Sequence, residues 1–547
     1  MPTPIPLAPK DFHQRIATGY STTETVNGVQ GSTYVADSPA SSSFEKQATR
    51  GMSTDSNGWG SDYGEDRTCI PPKHPYRTLV LCFDGTGDQF DQDNSNIVSF
   101  FRMLKKDDRY QQMVYYQAGI GTYTAPQQAT PLMTKFSKAL DEAVAWNLHS
   151  HVMGGYEFLM QNYLAGDRIC LFGFSRGAYT ARSLAGMIHK VGILPACNHQ
   201  QVPFAYKMFT RTDELGWAQS NAFKKTFSID VDIEFIGVWD TVNAVGIIPQ
   251  RLPFTTSNTI VRTFRHAVSL DERRAKFKAN LWNRPTKHES CLGNKDGQLS
   301  GDEHEHGQSG DPNHDHHKHK RTHSQLVMER MFSKDRSAQT DVEEVWFAGC
   351  HCDVGGGSVT NEITSSLARI PLRWMVRECF KTCTGIMFHR EALQEIGLDP
   401  DSLYPIVKPR PPPLPLGDAR IRSIPKDVPK PRTLETAVSE SIILDPRSEE
   451  ELDLEDAMAP IYDQLSISKK WWILEVLPLQ HKYQKGDNSW VSTHKPNMGR
   501  GRVIPKQKVR GVKVHRTVKM RLEAEDENRI KYSPKANLLL EHATWVD

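Results

Sequence analysis

The string Gly173-Phe174-Ser175-Arg176-Gly177 directly follows the apolar run Arg168-Ile169-Cys170-Leu171-Phe172. A strand, a sharp turn and a helix are therefore predicted in immediate succession, and few folds accept that sequence of events. The two glycines permit the tight turn, because a β-carbon at either place would crowd the helix against the strand. After the serine, Ala178, Ala181, Ala185 and Ile188 recur at spacings of three and four, which is one face of a helix. A serine hydroxyl is a poor nucleophile at neutral pH and needs an adjacent base. The pattern therefore predicts a serine nucleophile projecting from a strand-to-helix elbow. The plainer alternative is a glycine-rich corner in some other α/β fold.

The chain has 547 residues, too many for one small core and suited to one large domain with additions. Lys and Arg total 67 against 65 for Asp and Glu, so nothing global points to nucleic acid. A hydrophobic fraction of 38% implies that polar segments dilute an ordinary core. The nine cysteines are scattered and odd in number, and Cys82 and Cys170 lie inside apolar runs, which reads as reduced thiols in a reducing compartment. No stretch of 18 or more apolar residues occurs, and the start Met1-Pro2-Thr3-Pro4 lacks the basic and apolar parts of a secretory signal. A cytoplasmic location is expected, and any contact with a membrane would be peripheral, from the aqueous side.

Residues 1–75 are rich in Ser, Thr, Gly and Asp and read as disordered. Order is expected from 76 to 400, beginning with the apolar run Arg77 to Phe83. Further strands are predicted at Met113–Tyr116, Ile169–Phe172, Ile233–Trp239 and Val345–Gly349, with helices at 134–164 and 177–190. This alternation predicts a doubly wound, mostly parallel sheet. Continuous apolar strands fit a sheet covered on both faces. The segment 288–323 interrupts the pattern with His288, His304, His306, His314, His316, His317, His319 and His323 among Gly, Asp, Ser and Lys. It lacks fixed zinc-type spacing and reads as a solvated insertion, so no metal is expected. Residues 401–450 form a linker whose stretch 405–433 carries Pro409, Pro411, Pro412, Pro413 and Pro415; it is a polyproline-like spacer or a ligand for a proline-binding partner. A C-terminal extension, 451–547, is expected to pack on the catalytic domain, with Trp471 and Trp472 plugging a core or facing lipid.

A base and an orienting acid should lie at the same sheet edge as Ser175. Asp240 follows the strand ending at Trp239, although Asp-Thr is equally good helix-cap chemistry. His351 follows the strand ending near Gly349 and enters the glycine turn Val354-Gly355-Gly356-Gly357. His266 is the second histidine candidate, on a helix-like stretch, and Asp353 the second acid. The oxyanion hole should use the N–H of Arg176 and a second donor from Asp84-Gly85-Thr86-Gly87, at Gly85 or Thr86. The rival chemistry makes Asp84 a phosphotransferase nucleophile with a metal. The order Ser, Asp, His tells against it. Arg182, farther along the helix, is expected to pair with a scaffold carboxylate.

Taken together, Cys82–Gly87, Gly173–Arg182, Gly237–Val242 and His351–Gly357 resemble the type VI secretion lipase-effector-like family of α/β-hydrolases, which includes bacterial phospholipases. The resemblance spans roughly residues 76–395. It implies Ser175 as nucleophile, His351 as base and Asp240 as orienting acid, with no cofactor and a lipid or other ester as substrate. Trp471 to Leu477 also looks like the C-terminal part of fungal-type relatives. Two departures are Asp88, where Asn or Gln is commoner, and the His-rich insertion. A folded scaffold of weak activity, binding partners through its Pro-rich and disordered segments, is the competing reading.

Overall fold

The computed structural model describes residues 68–119, 133–242, 252–282, 325, 328, 329, 332, 339–425, 447–484 and 490–547, without the side chains of 133–147 and 480–490. The expectations for residues 1–67, the His-rich insertion 288–323 and the linker stretch 426–446 lie outside them.

Among the described residues, eight strands form one sheet, all neighbours parallel. They are β2 (Thr78–Phe83), β3 (Gln112–Gln117), β4 (Arg168–Phe174), β5 (Ile233–Trp239), β6 (Val261–Ser269), β7 (Asp341–Phe347), β11 (Val512–His515) and β12 (Ala543–Val546). Their spatial order is β12-β11-β7-β6-β5-β4-β2-β3. Two antiparallel pairs stand apart: β1 (Cys69–Ile70) pairs with β8 (Phe388–His389), and β9 (Pro478–Gln484) with β10 (Trp490–Pro496). The β1 pairing puts Cys69–Ile70 in a strand within the stretch 1–75 that the sequence reads as disordered.

Alternation along the strands feeds two cores. Leu79, Leu81, Phe83, Ile169 and Leu171 join the core on one face; Val80, Cys82, Cys170 and Phe172 join that on the other. Both sets are buried, so the period of two vanishes from the sequence and a continuous apolar run remains. Helices α2 (Met133–Asn162), α3 (Ser175–Val191), α4 (Val202–Thr210) and α5 (Glu214–Phe227) follow in the chain; residues of α2, α3, α4 and α5 line the first face. On the second lie α1 (Asn96–Met103), α6 (His351–Gly355) and α7 (Arg369–Lys381).

Two corrections concern the sheet. The stretch around His266 is not helical: Arg265 to Ser269 belongs to β6, a strand buried on both faces with no period to read. The C-terminal segment also does more than pack against the outside, because β11 and β12 extend the sheet beyond β7. A buried ion-pair cluster ties that segment down. Arg373 on α7 meets Asp453 and Asp456 of α8 (Glu449–Ala457) at 2.7 Å each. Arg410 of the Pro-rich stretch reaches Asp453 at 2.9 Å, while Pro409, Pro411, Pro412, Pro413 and Pro415 stay exposed. Removing one partner of such a cluster leaves a buried charge alone and costs about 3–5 kcal/mol.

The chain reverses its winding between β2 and β4, since β3 lies on one side of β2 and β4 on the other. In an open parallel sheet, ligands bind at the carboxyl ends of strands beside such a switch point.

Candidate active site

At that edge the backbone of the elbow is strained. Ser175 has φ 57°, in the left-handed region that a β-carbon disfavours, a conformation costing about 1–3 kcal/mol. The neighbours hold it there. A β-carbon on Gly177 would lie 2.3 Å from the carbonyl oxygens of Phe83 and Asp84. One on Gly173 would lie 2.5 Å from the Ala178 backbone. The first turn of α3 thus rests directly on the end of β2, and only glycine fits at either flank.

Ser175, His351 and Asp240 meet in a hydrogen-bonded line. Ser175 Oγ lies 2.8 Å from His351 Nε2, and His351 Nδ1 lies 2.5 Å from Asp240 Oδ2. With Nδ1–H donating to the carboxylate, Nε2 is left as the acceptor for the serine hydroxyl. All three side chains are buried. His351 opens the five-residue α6, and a β-carbon on Gly355 would enter the Phe174 ring at 1.8 Å, so the glycine lets α6 lie against the elbow. Phe174 and Phe277 flank the imidazole at 4.7 and 4.9 Å between centroids. Burial lowers the His351 pKa against the pull of Asp240, and Arg274 lowers it further. Burial alone would raise Asp240, but the Arg502 guanidinium and the His351 bond outweigh it and hold the carboxyl far below the usual range.

Arg502 was not singled out in the sequence. It comes from the C-terminal segment, 262 residues along the chain, and grips both carboxylate oxygens. Its Nη2 lies 2.8 Å from Asp240 Oδ2. Phe277 and Trp471 were likewise not expected at the site: Phe277 meets Trp471 edge-on at 5.6 Å, and the Arg274 guanidinium lies over both rings.

The other candidates fall into supporting places. His266 Nε2 accepts from Thr241 N–H at 3.1 Å and its Nδ1 contacts Glu344 at 3.0 Å, so it props the turn that carries Asp240. Asp353 accepts from Cys350 and Tyr462 N–H groups and caps α6. Asp84 accepts from Gly85 N–H, Ser95 Oγ and Tyr116 Oη at 2.6–2.8 Å, which commits both its oxygens to building the loop. That bond also corrects the place of Gly85: its N–H, expected to face substrate, points to Asp84 Oδ1. Thr86 is left on the loop with a buried Oγ1 that has no hydrogen-bond partner among the described residues. Arg176 opens α3 beside the serine; burial brings its guanidinium down to about 10 against the opposing charge of Asp88. Burial and neighbouring carboxylates push Asp88 up to about 7. Arg182 donates to the carbonyls of Thr255 and Asn280 at 2.7 and 2.5 Å, rather than pairing through these bonds with a carboxylate.

Residues 77–378, more than half of the chain, match the family described as T6SS, phospholipase effector Tle1-like, catalytic domain. The chain belongs to this Tle1-like family. An uncharacterized protein of Saccharomyces cerevisiae, YEL023C, is 28% identical over 571 residues, covering 86% of this chain and 83% of that one. Two solved structures overlap in part. One is an uncharacterized protein from Pseudomonas aeruginosa, with 16% identity, TM-score 0.28 and coverage of 57% of this chain and 46% of that one. The other is the Tle1 effector bound to the VgrG spike, with 16% identity, TM-score 0.25 and 52% of each chain covered. This chain spans about half the length of those two, and at such scores the likeness carries nothing about the site. The Tle1-like catalytic domain is of phospholipase, hydrolase type. Its matched stretch includes Ser175, Asp240 and His351 and ends before Arg502. Among the described residues no helix is long and apolar enough to cross a membrane.

Proposed function

We propose that this Tle1-like chain is a serine ester hydrolase that cleaves acyl esters of lipids, phospholipids foremost. The observation that carries the reading is the line from Ser175 Oγ through His351 to Asp240 at the switch-point edge. Ser175 Oγ attacks the ester carbonyl carbon while His351 Nε2 takes the hydroxyl proton. The imidazolium, held by Asp240, then gives that proton to the departing alcohol, leaving an acyl-serine. Water attacks the acyl group by the same route and releases the acid and Ser175. The developing oxyanion is met by the Arg176 N–H at the start of α3 and by Thr86, whose N–H and hydroxyl replace the Gly85 donor. No step needs a cofactor.

Contact with a lipid surface is part of this reading. Helix α9 (Trp472–Val476) is inverted relative to an ordinary surface helix. Glu475 is buried at 1% exposure, bonded to the N–H groups of Ala275 and Gly499 and to Asn497 at 2.6–2.9 Å. Ile473, Val476 and Leu477, at spacings of three and four, stand out at 60%, 53% and 44%. Met498 N–H bonds the Glu475 carbonyl and its side chain is 52% exposed. Lys469 and Lys470 precede this face and are exposed. Apolar residues with flanking cations suit an anionic lipid interface, and Trp471 and Phe277 connect that face to His351.

The test is fluorophosphonate labelling of wild type against Ser175→Ala, followed by hydrolysis of a monomeric ester and of phosphatidylglycerol-containing vesicles. Labelling of wild type alone supports the enzyme. Equal labelling of wild type and folded Ser175→Ala removes Ser175 as the nucleophile; no labelling of folded wild type leaves a scaffold whose exposed prolines bind a partner. Ile473→Ser/Leu477→Ser should lower vesicle hydrolysis at least about tenfold relative to the monomeric ester, since withdrawing even one apolar side chain from lipid is worth about 1.5–3 kcal/mol. Loss of the same size on both substrates would remove the lipid face.

A further inference from the structure

The C-terminal segment enters the catalytic line at one residue, and the bonding there closes on itself. The guanidinium of Arg502 has five N–H groups. Nε donates to the Phe277 carbonyl at 3.1 Å. Nη1 donates to Asp240 Oδ1 and to the Ser269 carbonyl. Nη2 donates to Asp240 Oδ2 and to the Phe277 carbonyl. The carboxylate is filled in the same way. Oδ1 accepts from Ser269 N–H at 2.9 Å and from Arg502; Oδ2 accepts from His351 Nδ1 and from Arg502. Four acceptor sites meet four donors, and neither side chain has solvent to fall back on.

The loop that delivers Arg502 is held from both sides. Asn497 donates to the Arg273 carbonyl and to Glu475, and a β-carbon on Gly501 would lie 1.7 Å from the Lys535 carbonyl oxygen. Without this guanidinium, one bond per oxygen, from Ser269 N–H and from His351, is what would hold the Asp240 carboxylate among the described residues; the two-pronged fork doubles that number and fixes the carboxylate plane.

We infer that Arg502 is a positioning residue for the reaction proposed above, fixing the Asp240 carboxylate for His351 and moderating its charge, so that the C-terminal segment completes the catalytic centre. The inference rests on that reading of the site. The charge balance around His351 involves Asp240 and Arg502 below it, Glu272 and Arg274 from the turn after β6, Lys278 beyond them, and His266 behind Asp240. Taking away Arg502 leaves Asp240 a stronger, less oriented anion. The imidazolium is then favoured, and the protonated, non-basic form of His351 persists to higher pH.

The experiment is a double-mutant cycle on the full chain: Arg502→Gln, Asp240→Asn, both together, and Arg502→Lys. Rates of fluorophosphonate labelling and of monomeric ester hydrolysis are measured from pH 4 to 9. Arg502→Gln should slow labelling about a hundredfold, the scale of an ångström of misplacement. It should also move the acidic limb up by about one pH unit, the scale of one opposite charge within a few ångströms. Arg502→Lys restores the limb more than the rate, because an ammonium keeps the charge without the fork. In the Asp240→Asn background Arg502→Gln should do almost nothing further. That double variant has no orphan buried charge, so it keeps the test open if Arg502→Gln alone is not recovered folded. Equal losses in both backgrounds, or an unmoved limb in folded Arg502→Gln, overturn the inference. Should wild type fail to label, the hydrolase reading falls by itself. The inference is then decided by the His351 ring titration in 15N-histidine protein, which must rise in Arg502→Gln without any turnover.

Discussion

Residues 168–191 and residues 497–502 each deliver one end of the same charged line, and they do so under opposite rules. The first region places Ser175 by local means. An apolar strand, two glycines whose β-carbons would strike backbone, and an alanine-faced helix lie within one short stretch, and all three are visible in the letters. The second region places Arg502 by distant means. Its neighbours are Asp240, Ser269 and Phe277, more than two hundred residues away, and its local string Gly499-Arg500-Gly501-Arg502 has no period or spacing that points to a carboxylate. The proposed nucleophile is therefore written in short-range sequence, and the support of its proposed acid only in tertiary packing.

The widest test of this contrast concerns the residues the elbow side supplies. Ser175→Ala and His351→Ala should each reduce turnover by about 10⁴–10⁶, and the double variant should be no worse than either. Asp240→Asn should lose about 10⁴, because the neutral amide favours the wrong imidazole tautomer. Asp353→Asn should stay within a few-fold, since that carboxyl caps α6 and contacts the Tyr462 N–H. If folded Asp353→Asn were as slow as Asp240→Asn, the acid would have been misassigned and the role of Arg502 would go with it.

The same contrast explains which elements were readable. β2, β4 and β5 are interior strands of the sheet and appear as largely apolar runs at the expected places. In β6, Arg265 and His266, both buried, interrupt the apolar run and hide the strand from a reading by letters; the ion pair to Glu378 and the bond to Glu344 that permit this burial come from elements far along the chain. β11 and β12 are four residues each, too short for a pattern, and become strands only by pairing with each other and with β7. Gly85 was misplaced for a related reason: its amide is claimed by Asp84, and no one-dimensional rule distinguishes which of two adjacent N–H groups turns to substrate.

Beyond 497–502, the C-terminal segment should also respond to acid. His515, at the end of β11, is stacked on Phe347 and its Nδ1 faces Thr517. Burial drives its pKa down to about 3. The unfolded chain takes the proton near pH 6.5 while the folded chain refuses it. Its contribution to stability is therefore complete above about pH 6.5 and is lost as pH falls towards 3. Between pH 6.5 and 5 wild type should lose about 2 kcal/mol from this group. His515→Asn keeps a capping acceptor but cannot titrate, so its denaturant-unfolding curve should be flatter over that window by that amount. Identical pH slopes for the two proteins would show that His515 stays as easily protonated folded as unfolded.

The last effect belongs to Arg176, where the proposed reading places the substrate's head group. Its backbone N–H serves the oxyanion in the proposed reaction, and its guanidinium keeps its charge at neutral pH even after burial lowers it to about 10. A guanidinium on a phosphate oxygen makes charge-assisted bonds that a neutral ester cannot receive. Arg176→Met removes the charge and leaves the N–H. Hydrolysis of phosphatidylcholine should therefore fall about tenfold, the scale of one lost bond to a charged group, while a neutral short-chain ester loses about twofold or less. Asp88 adds a sign to this. Its carboxyl, pushed up to about 7, opposes the guanidinium when ionised and is neutral in acid. The wild-type preference for phospholipid over neutral ester should thus grow as pH falls from 8 to 6, and the drift should shrink in Arg176→Met. Parallel kinetics on the two substrates at both pH values decide it. Equal losses on both, with an unchanged drift, would leave Arg176 as a support of the elbow alone.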